Sequence, residues 1–243
     1  MSPPRFHVPA AAPGARLALP DHAAHHAREV LRLRAGDPVR VFDGRGAEFE
    51  GTLEAVTRGG VHACLGGAVV ARSESPLRLV LALSPLKGDR MELVIQKATE
   101  LGVAEIWPLV TARTDAAARP ALRGSRQDRW DKVASGAAEQ CGRAVVPPVP
   151  PTTTLSGLLS MPFEGRRLLL LEAPAHTPLA AVSPRPAAAL LLLGPAGGWE
   201  PAEIERLLAA GFLAVRLGPR VLRAETAAIT AVAIAQALWG DLA

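Results

Sequence analysis

Two stretches in the carboxyl-terminal quarter of the chain decide its fold: LLLLGPAGGWEPAEIE (Leu190–Glu205) and LGPRVLRAETAAI (Leu217–Ile229). Each begins as an apolar strand, turns through glycine and proline, and continues with residues typical of a helix. Glycine lets the backbone come close to a ligand, and the first turn of a helix carries unpaired N–H groups. We therefore expect the two turns to form the walls of one pocket.

From Leu77 onward the chain alternates apolar strands with helices, which indicates an α/β fold with a parallel sheet. The predicted strands are Leu77–Leu83, Glu105–Val110, Leu168–Leu171, Ala188–Leu193 and Leu213–Leu217. The predicted helices are Asp89–Leu101, Ser125–Cys141, Pro201–Ala210 and Ala224–Trp239. The last of these is apolar nearly all round, so we expect it to be buried against a second subunit or beneath a neighbouring loop.

The first part of the chain has a different pattern and predicts a small β-rich domain over residues 1–72, before a domain over 77–243. Its predicted strands, with turns at DGRG and RGG between them, are Val39–Phe42, Ala47–Ala55 and Val61–Ala68. A helix over His22–Leu33 should precede them and end before Gly36. The polar segment Ser73–Pro76 is interpreted as a linker.

Composition narrows the class of protein. The 243 residues are 49% hydrophobic, yet no apolar run reaches the ~20 residues of a membrane helix, and we identify no secretory signal. The net charge is +4, and residues 76–145, with 11 basic and 8 acidic groups, carry +3 of it. This excess suits a phosphate-rich partner, although an ordinary soluble surface explains it equally simply.

Cysteine and histidine usage predicts no metal site. Cys64 and Cys141 are far apart and show no metal-ligand spacing, so we expect reduced thiols in a cytoplasmic protein. His22, His25 and His26 have helical spacing without a nearby zinc motif, which favours a helix face or contacts with RNA. GPAGG lacks the Gly-Lys-Ser/Thr ending of a phosphate loop, and no G-x-G-x-x-G follows a strand.

A family resemblance covers nearly the whole chain. Besides GPAGG and LGPRVLRAETA, the motifs that carry it are PRFHV (Pro4–Val8), HHAREVLRLRAGD (His25–Asp37), KGDRMELVIQKATELGV (Lys87–Val103) and AAEQCGR (Ala137–Arg143). In this order they resemble the RsmE family, which are S-adenosylmethionine-dependent methyltransferases of the SPOUT class. One position departs from the family pattern, because Ala196 stands where the family usually has glutamate.

The resemblance implies a PUA-like β-barrel that holds RNA, followed by a SPOUT-type α/β domain with a C-terminal trefoil knot that binds S-adenosyl-L-methionine. It also implies a homodimer that methylates N3 of a uridine in 16S rRNA of the small ribosomal subunit. Two alternatives stay open. One is a SPOUT methyltransferase acting on tRNA ribose, and the other is a catalytically inactive RNA-binding assembly factor, which Ala196 suggests.

The resemblance also suggests site residues. Arg223 and Arg5 are candidates to stabilise negative oxygens or grip phosphate, and Glu225 to orient Arg223 or accept a proton, unless it only favours the start of a helix. The expected cofactor-binding residues are Leu171, Glu172, Leu193, Gly194, Pro195, Gly197, Gly198, Leu217, Gly218, Arg220, Val221, Leu222, Arg223 and Thr226. The expected RNA-binding residues are Arg5, His25, Arg32, Arg123, Arg126, Arg129 and Arg143.

Overall fold

The computed structural model describes residues 3–115, 126–172 and 176–242. The chain forms two compact units. The N-terminal unit comprises Met1–Glu74 and Ser135–Val146, and the C-terminal unit comprises Ser75–Ala134 and Pro147–Ala243. The sequence predicts Ser135–Val146 within the domain over 77–243, but this segment clusters with the N-terminal unit.

The N-terminal unit is built on a sheet with the order β1-β3-β4-β5-β2 among the described residues. Its strands are β1 (Arg5–His7), β2 (Arg16–Ala18), β3 (Pro38–Phe42), β4 (Glu48–Thr57) and β5 (Gly60–Val69). β1 pairs parallel with β3, and the other pairs are antiparallel. Val61, Ala63 and Leu65 alternate along β5 and are all buried, as expected for a strand with one face on the core.

The helix before β3 is shorter than predicted. The α-helix α1 (Asp21–His25) continues as a π-helical turn, His26–Val30. The prediction that it extends to Leu33 is wrong, because Arg32 has a φ of 53°. That left-handed conformation cannot continue a right-handed helix.

The C-terminal unit contains a sheet with the order β10-β12-β9-β11-β6-β7-β8 among the described residues, and its strand pairs are parallel. The strands are β6 (Arg78–Leu83), β7 (Glu105–Val110), β8 (Thr153–Thr154), β9 (Arg166–Leu170), β10 (Thr177–Pro178), β11 (Ala188–Leu193) and β12 (Leu213–Arg216). Its α-helices are α2 (Arg90–Glu100), α4 (Leu155–Ser160), α5 (Pro201–Ala209) and α6 (Ala224–Trp239), and a short 3₁₀ helix spans Leu179–Ala181. The helix α3 (Gln127–Cys141) begins in this unit, and its part from Ser135 onward belongs to the N-terminal unit. The predicted α/β fold with a parallel sheet is therefore confirmed, and β6 and β11 are buried apolar runs, as central parallel strands should be.

The final helix α6 has one buried face and one partly exposed face. Its buried positions include Ala228, Ala231, Val232 and Ala235. Gln236 is fully buried as well; its Oε1 accepts a hydrogen bond from Ser75 Oγ (2.7 Å) and its Nε2 donates to the Gly102 carbonyl (2.8 Å). Among the described residues, the helix packs against α2, the strands β6 and β11, and the 3₁₀ helix Leu179–Ala181. Its burial against a second subunit stays a prediction.

Across the described residues, no helix combines the length and the apolar character needed to cross a membrane.

Candidate active site

The turns that follow β9, β11 and β12 line one cavity in the C-terminal unit. These strands are neighbours in the order β12-β9-β11, and they run parallel. Their carboxyl ends therefore lie at one edge of the sheet, the usual place for a ligand site in such folds. The cavity has a volume of about 850 Å³, within the range of small-molecule sites.

The cavity lining contains the predicted cofactor-binding residues, with one exception. Its members are Arg90, Leu170, Leu171, Glu172, Leu193, Gly194, Pro195, Ala196, Gly197, Gly198, Trp199, Ile204, Leu217, Gly218, Arg220, Val221, Leu222, Arg223, Ala224, Glu225 and Ala227. The exception is Thr226, which is exposed and does not belong to the lining. The expectation that the two glycine turns form the walls of one pocket is confirmed.

Two glycines of GPAGG show why the turn needs residues without a side chain. A Cβ at Gly194 would lie 2.5 Å from the indole Nε1 of Trp199, closer than non-bonded atoms approach. Gly198 has a φ of +74°, and among the described residues none beyond its chain neighbours has an atom within 4 Å of the position that its Cβ would take. Gly198 therefore has a backbone conformation that favours glycine and borders open space.

Three charged residues of the cavity lining are Arg90, Arg223 and Glu225, and two of them lie where α6 begins. Arg223 is the N-cap residue of α6, exposed at the cavity, and Glu225 follows in the first turn. Glu225 Oε1 lies 3.8 Å from Nε of Arg90, which enters the cavity from the start of α2. Sequence reasoning missed Arg90 as a site residue, although it lies within the KGDRMELV motif. The motif marks this segment in the sequence, but only the folded structure shows that the start of α2 lies at the edge of the sheet where the cavity is.

Position 196, where the family pattern has glutamate, lies on the cavity wall. Ala196 is exposed and belongs to the lining, so no carboxylate enters the cavity from this position. Among the described lining residues, carboxylates come instead from Glu172 and Glu225.

Arg5 belongs to the N-terminal unit and serves its packing, which contradicts a catalytic or RNA-binding role. Its Nε and Nη2 donate to the two carboxylate oxygens of Glu48 (2.9 and 3.0 Å). The remaining N–H groups donate to the carbonyls of Ala138 (3.0 Å), Glu139 (3.2 Å) and Arg143 (3.0 Å). A guanidinium has five N–H donors, so all are in use, and none is left for a substrate.

His7, the other polar residue of PRFHV, fastens β1 to the same segment. Its Nδ1 lies 2.8 Å from Ser135 Oγ, and its backbone N–H donates to Glu139 Oε1 (2.8 Å). Burial lowers the pKa of His7 below 6.5 and raises the pKa of Glu139 above 4.5. Together with Arg5, these contacts explain why Ser135–Val146 clusters with the N-terminal unit.

The other predicted RNA-binding residues divide into paired and accessible side chains. Arg143 is 9% exposed and its Nε donates to Glu74 (2.9 Å), which contradicts a direct contact with RNA. Arg129 is exposed, but its Nη2 pairs with Glu92 (2.7 Å) and Asp89 (3.4 Å), so a phosphate would have to displace these carboxylates. The accessible ones are His25, Arg32 and the half-buried Arg126, and Arg123 lies outside the described residues.

No three side chains of His, Cys, Asp or Glu gather to hold a metal ion in the part of the chain that the structure describes.

Known protein families match both units of the chain. A model of the RNA methyltransferase domain matches residues 73–236, and a model of the RNA methyltransferase PUA domain matches residues 19–63. The fold and the matched regions define the class: an RNA methyltransferase with an N-terminal PUA domain.

Similar proteins narrow the class to one family. Ribosomal RNA small subunit methyltransferase E of Synechocystis sp. is 35% identical over 219 residues, which cover 88% of this chain and 70% of that protein. The Bacillus subtilis protein of the same name is 30% identical and covers 86% and 84% of the two chains. The chain belongs to the ribosomal RNA small subunit methyltransferase E family, which confirms the resemblance that its motifs carry.

Solved structures extend the match over the full chain. The Neisseria gonorrhoeae ribosomal RNA small subunit methyltransferase E bound to S-adenosyl methionine has a TM-score of 0.90 and 35% identity, with 100% of both chains covered. A Legionella pneumophila methyltransferase in complex with the cofactor SAM has a TM-score of 0.89 and 36% identity, again with 100% of both chains covered.

Proposed function

We propose that the chain is an S-adenosyl-L-methionine-dependent methyltransferase that modifies N3 of a uridine in 16S rRNA of the small ribosomal subunit. The observation that carries the proposal is the cavity at the carboxyl ends of β9, β11 and β12, in a chain whose structural relatives are described as bound to S-adenosyl methionine. The name that the curated relatives share supports ribosomal RNA of the small subunit as the substrate, and N3 of a uridine is proposed from the family resemblance of the motifs.

The lining residues fit this cofactor. Leu171, Leu193, Leu217 and Leu222 give apolar surface suited to an adenine ring, and the glycine turns offer backbone N–H and C=O groups to its polar edge. The positive φ and open space at Gly198 leave room for a ligand against the backbone. When bound, the cofactor supplies an electrophilic methyl group, and the protein supplies placement and charge.

Within the cavity, Arg223 is proposed to stabilise the negative charge that develops on the uracil oxygens when N3 loses its proton. It is exposed at the cavity and stands at the start of α6, whose first N–H groups reinforce its positive potential. Glu225 is proposed to orient Arg90, since their side chains approach to 3.8 Å. Arg90 would then act from a fixed position, which is what electrostatic stabilisation requires.

RNA contacts are proposed for His25 and Arg32 in the N-terminal unit, for Arg126 just before α3, and for Arg129 on α3. His25 at the end of α1 and Arg32 just beyond the π-helical turn are exposed, in the region that matches the PUA domain. We retain 1–72 and 77–243 as the proposed domains, with the loops around the cavity arranged as a trefoil knot. A cytoplasmic location follows from the proposed ribosomal substrate.

A homodimer through α6 is proposed from its partly exposed face. The side chains on this face are all apolar or small: Ile229, Thr230, Ala233, Ile234, Ala237 and Leu238. Leu238 is 39% exposed and Leu242 beyond the helix is 48% exposed. Ala231 faces the unit's own core and cannot test the interface, so Ile234→Glu is the informative change. It should convert a dimer into a monomer in light scattering, and a wild-type protein that is already monomeric at micromolar concentration would refute the proposal.

The experiment that tests the function uses purified protein, methyl-labelled cofactor and small subunits from a strain that lacks the enzyme. We expect label on 16S rRNA, and mass mapping should place it on N3 of a uridine. Label on a ribose 2′-oxygen, or on tRNA only, would refute the proposal in favour of a ribose methyltransferase. Tight RNA binding without label would identify a catalytically inactive assembly factor, and the loss of activity would then be attributed to alanine in place of glutamate at position 196.

A further inference from the structure

The loop that follows β7, Thr111–Asp115, contributes no side chain to the cavity lining among the described residues, yet buried hydroxyl groups hold it in place. Thr114 Oγ1 lies 2.7 Å from Ser84 Oγ and accepts a hydrogen bond from the backbone N–H of Thr111 (2.8 Å). Ser84 and Thr114 are 0% and 3% exposed. Buried polar groups are costly unless they are paired, so this network fixes one conformation of the loop.

A carboxylate on α5 holds the same loop from the other side. Glu203 is 8% exposed; its Oε1 accepts from the backbone N–H of Ala112 (2.9 Å), and its Oε2 accepts from the N–H of Glu200 (3.1 Å). A buried carboxylate needs such donors to offset its lost hydration. Glu203 therefore joins the loop to the helix that follows the GPAGG turn.

Arg113 lies at the tip of this fixed loop, against the GPAGG turn. Its carbonyl oxygen and its Cβ would lie 3.3 and 3.4 Å from a Cβ at Gly197, and its Nη1 donates to the Gly197 carbonyl at 3.4 Å. The side chain is exposed. The geometry thus presents a guanidinium to solvent beside a wall of the cavity, on a loop that is ordered before any ligand arrives.

We propose that Arg113 binds a backbone phosphate of the RNA substrate at the rim of the cavity, an inference that rests on the proposed function. A guanidinium offers a planar set of N–H donors that matches phosphate oxygens. Arg129 differs from it, because two carboxylates already pair with that side chain. Because Thr114 and Glu203 hold the loop in advance, binding costs little ordering of the chain.

The test compares Arg113→Ala with a matched control, Arg166→Ala. Arg166 is an exposed arginine of the same unit that also donates to one carbonyl, Ser183 O (3.3 Å), but it begins β9 at the opposite, amino end of the strands. Binding of small ribosomal subunits from a strain lacking the enzyme is measured by filter retention over a range of salt concentrations. Cofactor affinity is measured separately by calorimetry.

Arg113→Ala should raise the Kd for subunits on the order of tenfold and reduce the slope of log K against log salt by about 0.7–0.9. Its cofactor affinity should match that of the wild type, Arg113→Lys should recover part of the binding, and Arg166→Ala should change neither. Unchanged subunit affinity and salt slope in Arg113→Ala would overturn the proposal. A loss of cofactor binding without a loss of subunit binding would also overturn the proposal, because Arg113 would then only hold the Gly197 backbone in place. The readout does not depend on where the methyl group goes, so an error in the proposed uridine N3 would be recognised separately.

Discussion

Arg5 in the N-terminal unit and Arg223 in the C-terminal unit both lie in motifs that resemble the same family, yet the structure gives them opposite surroundings. The side chain of Arg5 is 13% exposed, and its five N–H groups all have protein partners. Arg223 is exposed on the wall of a cavity. A motif therefore indicates that an arginine is functionally or structurally important. Only the hydrogen-bond partners of that arginine show whether it stabilises the fold or is available to contact a substrate.

The largest effect on stability should come from Arg5→Ala. It would leave the buried Glu48, 4% exposed, without its bidentate partner and should cost about 3–5 kcal/mol in the free energy of unfolding. Urea denaturation measures the change. The control is Arg40→Ala, because Arg40 approaches Glu48 only at 3.9 Å and is more exposed; it should cost at most about 1 kcal/mol. Equal costs for the two variants would contradict the assigned role of Arg5.

Arg223→Ala should act on the reaction instead of the fold. Removing a group that stabilises developing charge lowers kcat by roughly 10²–10³, while the unfolding midpoint should stay close to that of the wild type. Single-turnover methylation of small subunits measures the effect. Arg206→Ala provides a control on α5, where an exposed arginine contacts Ser156 and does not itself belong to the described cavity lining. A full rate in Arg223→Ala would remove this residue from the proposed mechanism.

The smallest predicted effect is a pH dependence of stability that arises from His7. Because its folded pKa is lowered below 6.5 by burial, the unfolded chain takes up a proton there before the folded chain does. Stability should therefore fall as the pH decreases from 7.5 to 5.5. The pKa of Glu139 is raised above 4.5, which has the opposite effect, because it makes the folded state more stable as the pH falls. Glu139 is present in both the wild type and His7→Gln, so the comparison of these two proteins isolates His7. Between pH 7.5 and 5.5, the urea midpoint of His7→Gln should fall less than that of the wild type. The same pH dependence in both proteins would contradict the role assigned to His7.

The sequence predicted the C-terminal unit better than the N-terminal one, for physical reasons. β11 and α6 match the predicted Ala188–Leu193 and Ala224–Trp239 to the residue, because long apolar runs and glycine turns are local signals. The strands β1 and β2 have three residues each and depend on their partners, so no local pattern marks them. Nor can a continuous helical pattern reveal that the second half of α3 belongs to a different unit from the first.

The candidate site was predictable to a similar degree. The glycine turns identified the cavity, because both glycine-rich segments follow strands that proved to be parallel and close together. Arg90 and Arg113 were missed, since each reaches the edge of the cavity from a distant part of the chain. Arg5 and Arg143 were misassigned, because their partners, Glu48 and Glu74, become known only from the structure.

The backbone of the GPAGG turn is proposed to form part of the cofactor site, and calorimetry with S-adenosyl-L-methionine can measure this. Gly198→Val is compared with Gly211→Val, because both glycines have a positive φ, +74° and +85°, and open space around the added Cβ. Gly211 follows α5 outside the described cavity lining, so it reproduces the backbone strain, about 1–3 kcal/mol, without the ligand contact. We expect the wild type and Gly211→Val to bind the cofactor alike, while a folded Gly198→Val does not bind it. Unchanged affinity in Gly198→Val, or no binding by the wild type, would contradict this proposal.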